Sequence, residues 1–422
     1  MHNRPRVILR TLGVVLALVL VVYAGLTVWS FVALRRAYTA LARDGRPMRA
    51  AEVIPLPAPA ADNAAPLYEE AVRLLNAERI GDRTLLQELT DAARAANATN
   101  ATPSDVTRFR ELVTRPEAQH ALELVVRAGE RKACRFDLDY AAGPGGIAVS
   151  NLSETLTLSK VVRGEVSRLA DVGESTNAWR LAIAGLELAQ AKRAEPFLIS
   201  QLVTIALDAI AEASVRRLCT AAPPTQEQSD RILAALTRMD QPAEFQRMLD
   251  GERLLYGEWS FAHLTTAHNW WKEERSWEPR VCRWFWRPVL RLDHAAYLRI
   301  MRDAATTPLS RSLPPIDVSR CCSLTRAILP ALDSSRTSFA TSIARVRCTE
   351  AGLAVLKHRQ ACGDWPVSLA SCMAAVPDDP FDGQLLRYRV TEKGFVVYSI
   401  GKDRKDNGGT TGCDEAWNFT AR

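Results

Sequence analysis

The chain has 422 residues, of which 47% are hydrophobic and 24% are charged, and its formal net charge is +6. This length exceeds a single hydrophobic core, so we expect at least two domains, and the composition excludes an intrinsically disordered protein. The small net charge argues against a dedicated nucleic-acid-binding protein, which concentrates far more basic charge on one face. We therefore expect no nucleic-acid partner.

The first predicted element is a membrane-spanning helix at residues 11–34. The run Thr11–Leu34 contains no charged residue. As a helix it would extend about 36 Å, which is enough to cross a bilayer core of about 30 Å. The apolar core of a cleaved signal peptide is shorter, at about 7–15 residues. We predict an uncleaved signal anchor, with the lipid bilayer as the partner of residues 11–34.

Basic residues lie on both sides of this segment, so the positive-inside rule does not decide its orientation. The basic tail of residues 1–10 contains Arg4, Arg6 and Arg10, and further arginines lie between residues 35 and 49. A short basic tail that stays inside, with a long folded part exported, is the common arrangement. We predict a single-pass protein of the cell inner membrane with most of the chain outside the cytoplasm.

A Pro/Ala-rich tether, residues 35–62, and a long helical domain, residues 63–340, are predicted to follow the span. Prolines at 47, 55, 57 and 59 favour an extended chain in the tether. From Asn63 onward, apolar residues recur at helical spacing in segments of about 13–23 residues that are joined by short connections. This pattern is typical of an antiparallel helical array, and we expect protein partners to bind it.

The segment Asn269–Leu292 combines five tryptophans with five arginines. Both residue types suit the lipid headgroup layer, so the segment is a candidate membrane-interface patch. One alternative is a single-stranded nucleic acid site, in which bases stack on the aromatic rings. Another, commoner arrangement is a loop whose tryptophans cap the core while its arginines pair with nearby glutamates. The membrane-interface candidates are Trp29, Trp270, Trp271, Trp284 and Trp286.

The sequence contains no recognisable catalytic motif. It has no Gly-rich phosphate loop, no GxSxG turn and no HExxH helix. We predict a protein that is not an enzyme, with no catalytic or cofactor-binding residue. The alternative is an enzyme whose site forms within the helical domain from Asp137, Asp139 and His263, although two carboxylates in a glycine-rich loop are also ordinary turn chemistry.

The nine cysteines show neither a CxxC pair nor zinc-finger spacing. Cys362 and Cys372 bracket a predicted turn and short helix, and they are the disulfide candidate if the domain is exported. The alternative is that both thiols pack as small apolar groups.

A small α+β domain is predicted at residues 341–422. Residues 341–360 form a predicted helix, and Leu385–Val390 and Phe395–Ile400 form a predicted antiparallel β-hairpin around a turn. The predicted fold class is therefore mostly α, with an N-terminal transmembrane helix, an antiparallel helical array and a small C-terminal α+β domain.

Several short motifs occur in a fixed order in this domain, namely Gly363-Asp364-Trp365-Pro366, Asp379-Pro380-Phe381, Leu386-Arg387-Tyr388 and Tyr398-Ser399-Ile400-Gly401. In this order they resemble the globular domain of the type II secretion major pseudopilins. The whole chain resembles membrane-anchored envelope proteins of planctomycete-type bacteria. The pseudopilin resemblance implies a helix packed on a small antiparallel sheet and a calcium-binding loop after the last strand. The positions that match the calcium ligands are Asp403, Asp406, Asn407 and Asp414.

The chain departs from the pseudopilins at several points. Its membrane segment has no early glutamate, and Arg404 replaces a loop glycine of that family. Calcium prefers about six to eight oxygen ligands, whereas Lys402, Arg404 and Lys405 lie among the acids. The alternative to a calcium site is thus a polar, turn-rich segment without metal.

We predict a membrane-anchored envelope protein with a helical interaction domain and a pseudopilin-like C-terminal domain. The alternatives are an enzyme with a site in the helical domain and a calcium-binding, secretion-related subunit.

Overall fold

In a computed structural model of the chain, the described residues are 4–142, 149–266, 278–311, 323–329 and 332–420. They are mostly helical and include an N-terminal apolar helix and a small C-terminal antiparallel sheet. The predicted fold class is confirmed. The helices in chain order are α1 (Arg4–Arg43), α2 (Ala65–Ala77), α3 (Leu85–Ala96), α4 (Pro103–Val113), α5 (Pro116–Ala128), α6 (Val149–Asp171), α7 (Ser175–Ala189), α8 (Leu198–Ala221), α9 (Gln226–Met239), α10 (Pro242–Gly251), α11 (Trp259–Thr266), α12 (Glu278–Thr306), α13 (Ser323–Ile328) and α14 (Leu332–Cys362).

The chain divides into two compact units. The anchor unit consists of Met1–Val53, Leu249–Thr306 and Leu313–Pro330. The main unit consists of Ile54–Met248, Thr307–Ser312 and Ala331–Arg422.

In the anchor unit, α12 packs along α1. Helix α1 continues through the predicted span to Arg43, so the first part of the predicted tether is helical. A π-helical segment, Glu252–Glu258, leads into α11. Its Arg253 is almost fully buried and pairs with Glu258 at 2.5 Å and with Asp250 at 3.5 Å.

In the main unit, α2 to α9 form the predicted helical array, in which α6 packs against α7 and α8. Threonines at 84, 102 and 225 begin α3, α4 and α9 through capping boxes, which satisfy amide groups of the first turn. Helix α8 is long and apolar enough to cross a membrane, but half of its most apolar stretch is buried inside the unit. We therefore interpret α8 as a core helix.

Near the C-terminus, α14 lies on a three-stranded antiparallel sheet. The strands β1 (Arg79–Ile80) and β2 (Arg83–Thr84) form a separate small ladder, and β3 (Arg387–Thr391), β4 (Gly394–Ser399) and β5 (Glu415–Thr420) form the sheet in the order β3-β4-β5. The predicted hairpin corresponds to β3 and β4. Strand β5 was not predicted, and it places β4 at the fully buried centre of the sheet.

Helix α14 also contacts α8 and α9. It begins at Leu332, so the predicted domain boundary at residue 341 falls inside one continuous helix. Arg336 and Phe339 lie before residue 341 and are buried. The residues around them are mostly polar, so the sequence did not indicate that a packed helix begins there.

Helix α14 packs against strand β5 with Gly352 facing Trp417. A Cβ atom added at Gly352 would lie 2.1 Å from Cε3 and 2.4 Å from Cζ3 of the buried Trp417 ring. Only glycine leaves room for the indole at this position.

We expect Gly352→Ala to destabilise the main unit, because the indole or the strand would have to move, and overpacking of this kind costs about 1–3 kcal/mol. Thermal unfolding of the full chain in detergent, followed by near-UV circular dichroism, should show a lower Tm. Gly25→Ala is the matched control, since its added Cβ meets nothing within 4 Å. An unchanged Tm for Gly352→Ala would contradict this packing.

Candidate functional site

A cleft of about 300 Å³ opens in the main unit. Its walls come from the start of α2, the end of α5 and the loop after it, the end of α7, and α9 and α10. Charged side chains dominate the lining, with five cations and two carboxylates. These are Arg131, Lys132, Arg193, Arg238 and Arg247, together with Glu187 and Glu244.

Arginines engage both carboxylates of the cleft. Glu187 pairs with Arg238, and Glu244 accepts a 2.6 Å hydrogen bond from Arg193. The guanidinium of Arg247 donates to the backbone carbonyl of Arg193 at 2.6 Å. The buried Asp208 also binds Arg193 at 2.8 Å. The five cations thus exceed the three carboxylates by two charges, and this excess favours an anionic ligand.

The cysteine that lines the cleft is not an activated nucleophile. Cys134 lines it, and burial raises the pKa of this thiol to about 12. The thiol is therefore protonated at neutral pH, whereas reactive cysteines need a lowered pKa. The cleft is thus suited to binding by charge.

The three residues of the enzyme alternative do not line this cleft. Asp137 and Asp139 lie exposed in the loop after α5, and Asp139 accepts hydrogen bonds from the amides of Ala141 and Ala142 at 3.0 and 3.2 Å. His263 lies exposed on α11 in the anchor unit and stacks on Trp259 with ring centroids 3.7 Å apart. Asp139 and His263 thus make local contacts, and the enzyme alternative stays a hypothesis.

The four predicted calcium ligands lie in the loop after β4. Their side chains make local hydrogen bonds there. Asp414 accepts hydrogen bonds from the amides of Gly409 at 2.7 Å and Thr410 at 3.2 Å. Asn407 donates to Asp403 at 3.1 Å. These bonds order the loop through its own backbone, as Asx turns do.

Asp406 has a similar part in the loop. It accepts hydrogen bonds from the Tyr398 hydroxyl at 3.1 Å and the Gly408 amide at 2.9 Å. Arg404 has φ 54°, so this arginine adopts the left-handed conformation that glycine favours. Within the described ranges, no group of three or more His, Cys, Asp or Glu residues is arranged to hold a metal ion. The calcium site stays a prediction.

Asp379, in the Asp379-Pro380-Phe381 motif, is a carboxylate that stabilises the fold. It is fully buried and accepts hydrogen bonds from the amides of Phe381 and Ile400 at 2.9 Å each, from the Ser399 hydroxyl at 2.8 Å and from Arg387 at 2.6 Å. One carboxylate therefore ties the Asp-Pro turn to β3 and to the end of β4. An aspartate before proline, with an arginine on the following strand, is the signal that would have found it.

The predicted disulfide is not formed in this structure, where Cys362 and Cys372 are both free cysteines. Cys372 instead donates to the backbone carbonyl of Leu369 at 3.3 Å, in a short 3₁₀ turn. Of the tryptophan candidates, Trp29 and Trp286 are exposed, with 62% and 60% of their surface accessible. Trp270 and Trp271, and the side chain of Trp284, lie outside the described residues.

Comparison of the chain with protein-family models, with curated proteins and with solved structures gives no match. The resemblance to pseudopilins therefore stays a prediction.

We expect Asp414→Ala to lower the Tm of the full chain in calcium-free buffer, because two loop amides lose their acceptor. An unpaired buried polar group costs about 1–3 kcal/mol. Differential scanning calorimetry in detergent measures the change. Asp364→Ala is the control, since that side chain is 96% exposed. Equal Tm values for the two variants would contradict the structural part assigned to Asp414.

The same proteins test the calcium prediction. A ligand that binds only the folded state at 100 times its Kd adds about 2.7 kcal/mol to the free energy of unfolding. Millimolar calcium should then raise the Tm of the original chain and of Asp364→Ala, and a chelator should reverse the rise. No rise in the original chain would remove the calcium site.

Proposed function

We propose that this protein is a single-pass protein of the cell inner membrane that holds a helical binding module outside the cytoplasm. The observation that carries the proposal is the N-terminal helix. Between Arg10 and Arg43 it has a mean hydropathy of 2.5 over its most apolar stretch, and none of that stretch is buried in the protein. A continuous apolar surface of this kind is costly in water and favourable in a bilayer.

The cleft of the main unit supports a binding role. Its excess of arginine and lysine would attract an anionic ligand, and its cysteine is protonated. Asp137 and Asp139 lie exposed in the main unit and His263 lies exposed in the anchor unit, and none of the three lines this cleft. We therefore favour a protein that binds an anionic ligand or partner over one that catalyses a reaction.

The C-terminal part supports the proposal of a pseudopilin-like domain. A long helix, α14, lies on an antiparallel sheet, and a loop rich in aspartate follows β4. The helix on a small antiparallel sheet is what the resemblance implies, whereas the loop lies before the last strand, β5, and not after it. In this proposal the domain belongs to a cell-envelope protein that displays it beside the helical array.

We expect the full chain to stay in the membrane fraction after washing at alkaline pH and to be released by detergent. Leu16→Arg combined with Leu20→Arg should move it to the wash, because each arginine in the centre of a span costs about 2.5–3.5 kcal/mol. Immunoblotting of the fractions measures this.

Leu56→Arg and Val367→Arg are the controls, since both side chains are more than four-fifths exposed and lie outside the span. They should remain membrane-bound. Release of the unmodified chain by alkaline washing would contradict the anchor.

We expect inorganic phosphate, used as a probe anion, to raise the Tm of the full chain in detergent. Arg131→Glu combined with Lys132→Glu should abolish that rise, because the lining would lose its positive excess. Arg231→Glu is the control, since Arg231 is exposed on α9 and does not line the cleft. The same rise in all three proteins would show that phosphate binds elsewhere.

A further inference from the structure

One carboxylate of the cleft in the main unit lies between two of its cations. Glu244 of α10 lines the cleft, and 14% of its side chain is exposed, so solvent reaches it. One of its carboxylate oxygens accepts a hydrogen bond from Nη1 of Arg193 at 2.6 Å, and the other lies 3.7 Å from Nη2 of Arg247. We call the place of this carboxylate the anion position.

Arg193 is held in place independently of Glu244. Its Nη2 donates to both carboxylate oxygens of the buried Asp208 at 2.8 Å each. Asp208 in turn accepts a hydrogen bond from Ser342 at 3.3 Å. Because these bonds fix the guanidinium from the side of α8, its Nη1 stays directed at the anion position when Glu244 is withdrawn. Arg193 is therefore a preorganised donor for an anion.

Arg247 supplies the second cation of the anion position. Its Nη2 donates to the backbone carbonyl of Arg193 at 2.6 Å, and 44% of its side chain is exposed. A guanidinium has five N–H donors, and the bond to the carbonyl uses one of them. An oxyanion in place of the Glu244 carboxylate would thus meet Arg193 and Arg247 together.

The charge of Glu244 responds to mild acid. Burial raises the pKa of this carboxyl above its ordinary value, although the charge of Arg193 opposes the effect. Glu244 therefore begins to take up a proton at a pH at which an ordinary glutamate is still charged. A carboxylate can only accept hydrogen bonds and repels an anion, whereas a protonated carboxyl can donate a hydrogen bond to it.

Several other titratable groups surround the anion position. Burial raises the pKa of Asp208 as well, and the charge of Asp208 acts on Glu244. Burial also raises the pKa of the Cys134 thiol to about 12 and the pKa of Tyr68 above its ordinary value, so both stay neutral in mild acid. The remaining charged groups of the lining are Arg131, Lys132, Glu187 and Arg238, of which Glu187 and Arg238 pair with each other. A pH effect at this site can therefore come from Glu244 or Asp208, which a substitution of Glu244 distinguishes.

We propose that Glu244 is a built-in competitor for the anion position of this cleft, and that a phosphate or sulfate group binds between Arg193 and Arg247 once Glu244 is protonated. Arginine forks suit such groups, whose several oxygens accept from both side chains. The proposal rests on the proposed binding of an anionic ligand and adds its position and its regulation by pH.

The test measures sulfate binding to the full chain in detergent by titration calorimetry. It compares about pH 8 with about pH 5.5, where an ordinary glutamate stays mostly charged. Sulfate keeps its two charges across this range, whereas phosphate does not. We expect acidification to tighten binding about tenfold, the effect of one hydrogen bond between charged groups. Calorimetry in two buffers of different ionisation enthalpy should show proton uptake with sulfate at the lower pH, because the two binding events favour each other.

Glu244→Gln removes the competing charge at every pH. At the higher pH we expect this variant to bind sulfate as tightly as the original chain does at the lower pH, without proton uptake. Glu187→Gln is the matched control, since it removes one negative charge from the same lining and leaves the bond between Glu244 and Arg193 in place. The control should still tighten its binding on acidification.

The outcomes separate the competitor from the anion site itself. Equal sulfate affinity at both pH values, in the original chain and in Glu244→Gln, overturns the competitor and leaves the binding of an anion. The same tightening in Glu244→Gln as in the original chain shows that another group, such as Asp208, carries the pH effect, and it also overturns the competitor. If sulfate binds to none of the proteins, both proposals fail. The pH dependence and proton uptake of the original chain test the proposal even if Glu244→Gln does not fold.

Discussion

Two buried carboxylates on α8, Asp208 and Glu212, hold the main unit together. Asp208 accepts hydrogen bonds from Arg193 at 2.8 Å and from Ser342 of α14 at 3.3 Å, and Glu212 accepts from Thr349 of α14 at 3.3 Å. Burial raises the pKa of Glu212 to about 8. Because a buried polar group that loses its hydrogen-bond partner is destabilising, these bonds couple the packing of α8 to that of α14.

Arg216 extends this buried network to the sheet. It donates to Thr349 at 2.9 Å, and to the backbone carbonyls of Arg345 and Ala416 at 3.0 Å each. One side chain therefore joins α8, α14 and β5. These contacts pack the sheet of the predicted C-terminal domain against α8 of the helical array, within the main unit.

Local patterns explain which parts of the fold could be predicted. The apolar run of α1, the helical periodicity of the array and the alternation around the turn at Glu392 each depend on neighbouring residues. Strand β5 was missed because its place depends on Trp417 reaching Gly352, which lies far away in sequence. The buried acids of α8 gave no signal, because their partners Arg193, Ser342 and Thr349 come together only in the folded chain. The excess of positive charge in the cleft likewise arises from three separate stretches of sequence, 131–132, 187–193 and 238–247.

The continuity of α1 has a mechanical consequence. The helix runs without a break from the apolar span to Arg43, and α12 lies alongside it with Asp44 bound to Arg302 at the far end. A polyproline tether starting at residue 35 would have absorbed tilting or rotation of the span. Two packed helices instead form one unit, so in the proposed membrane anchor a tilt of α1 would carry α12 with it.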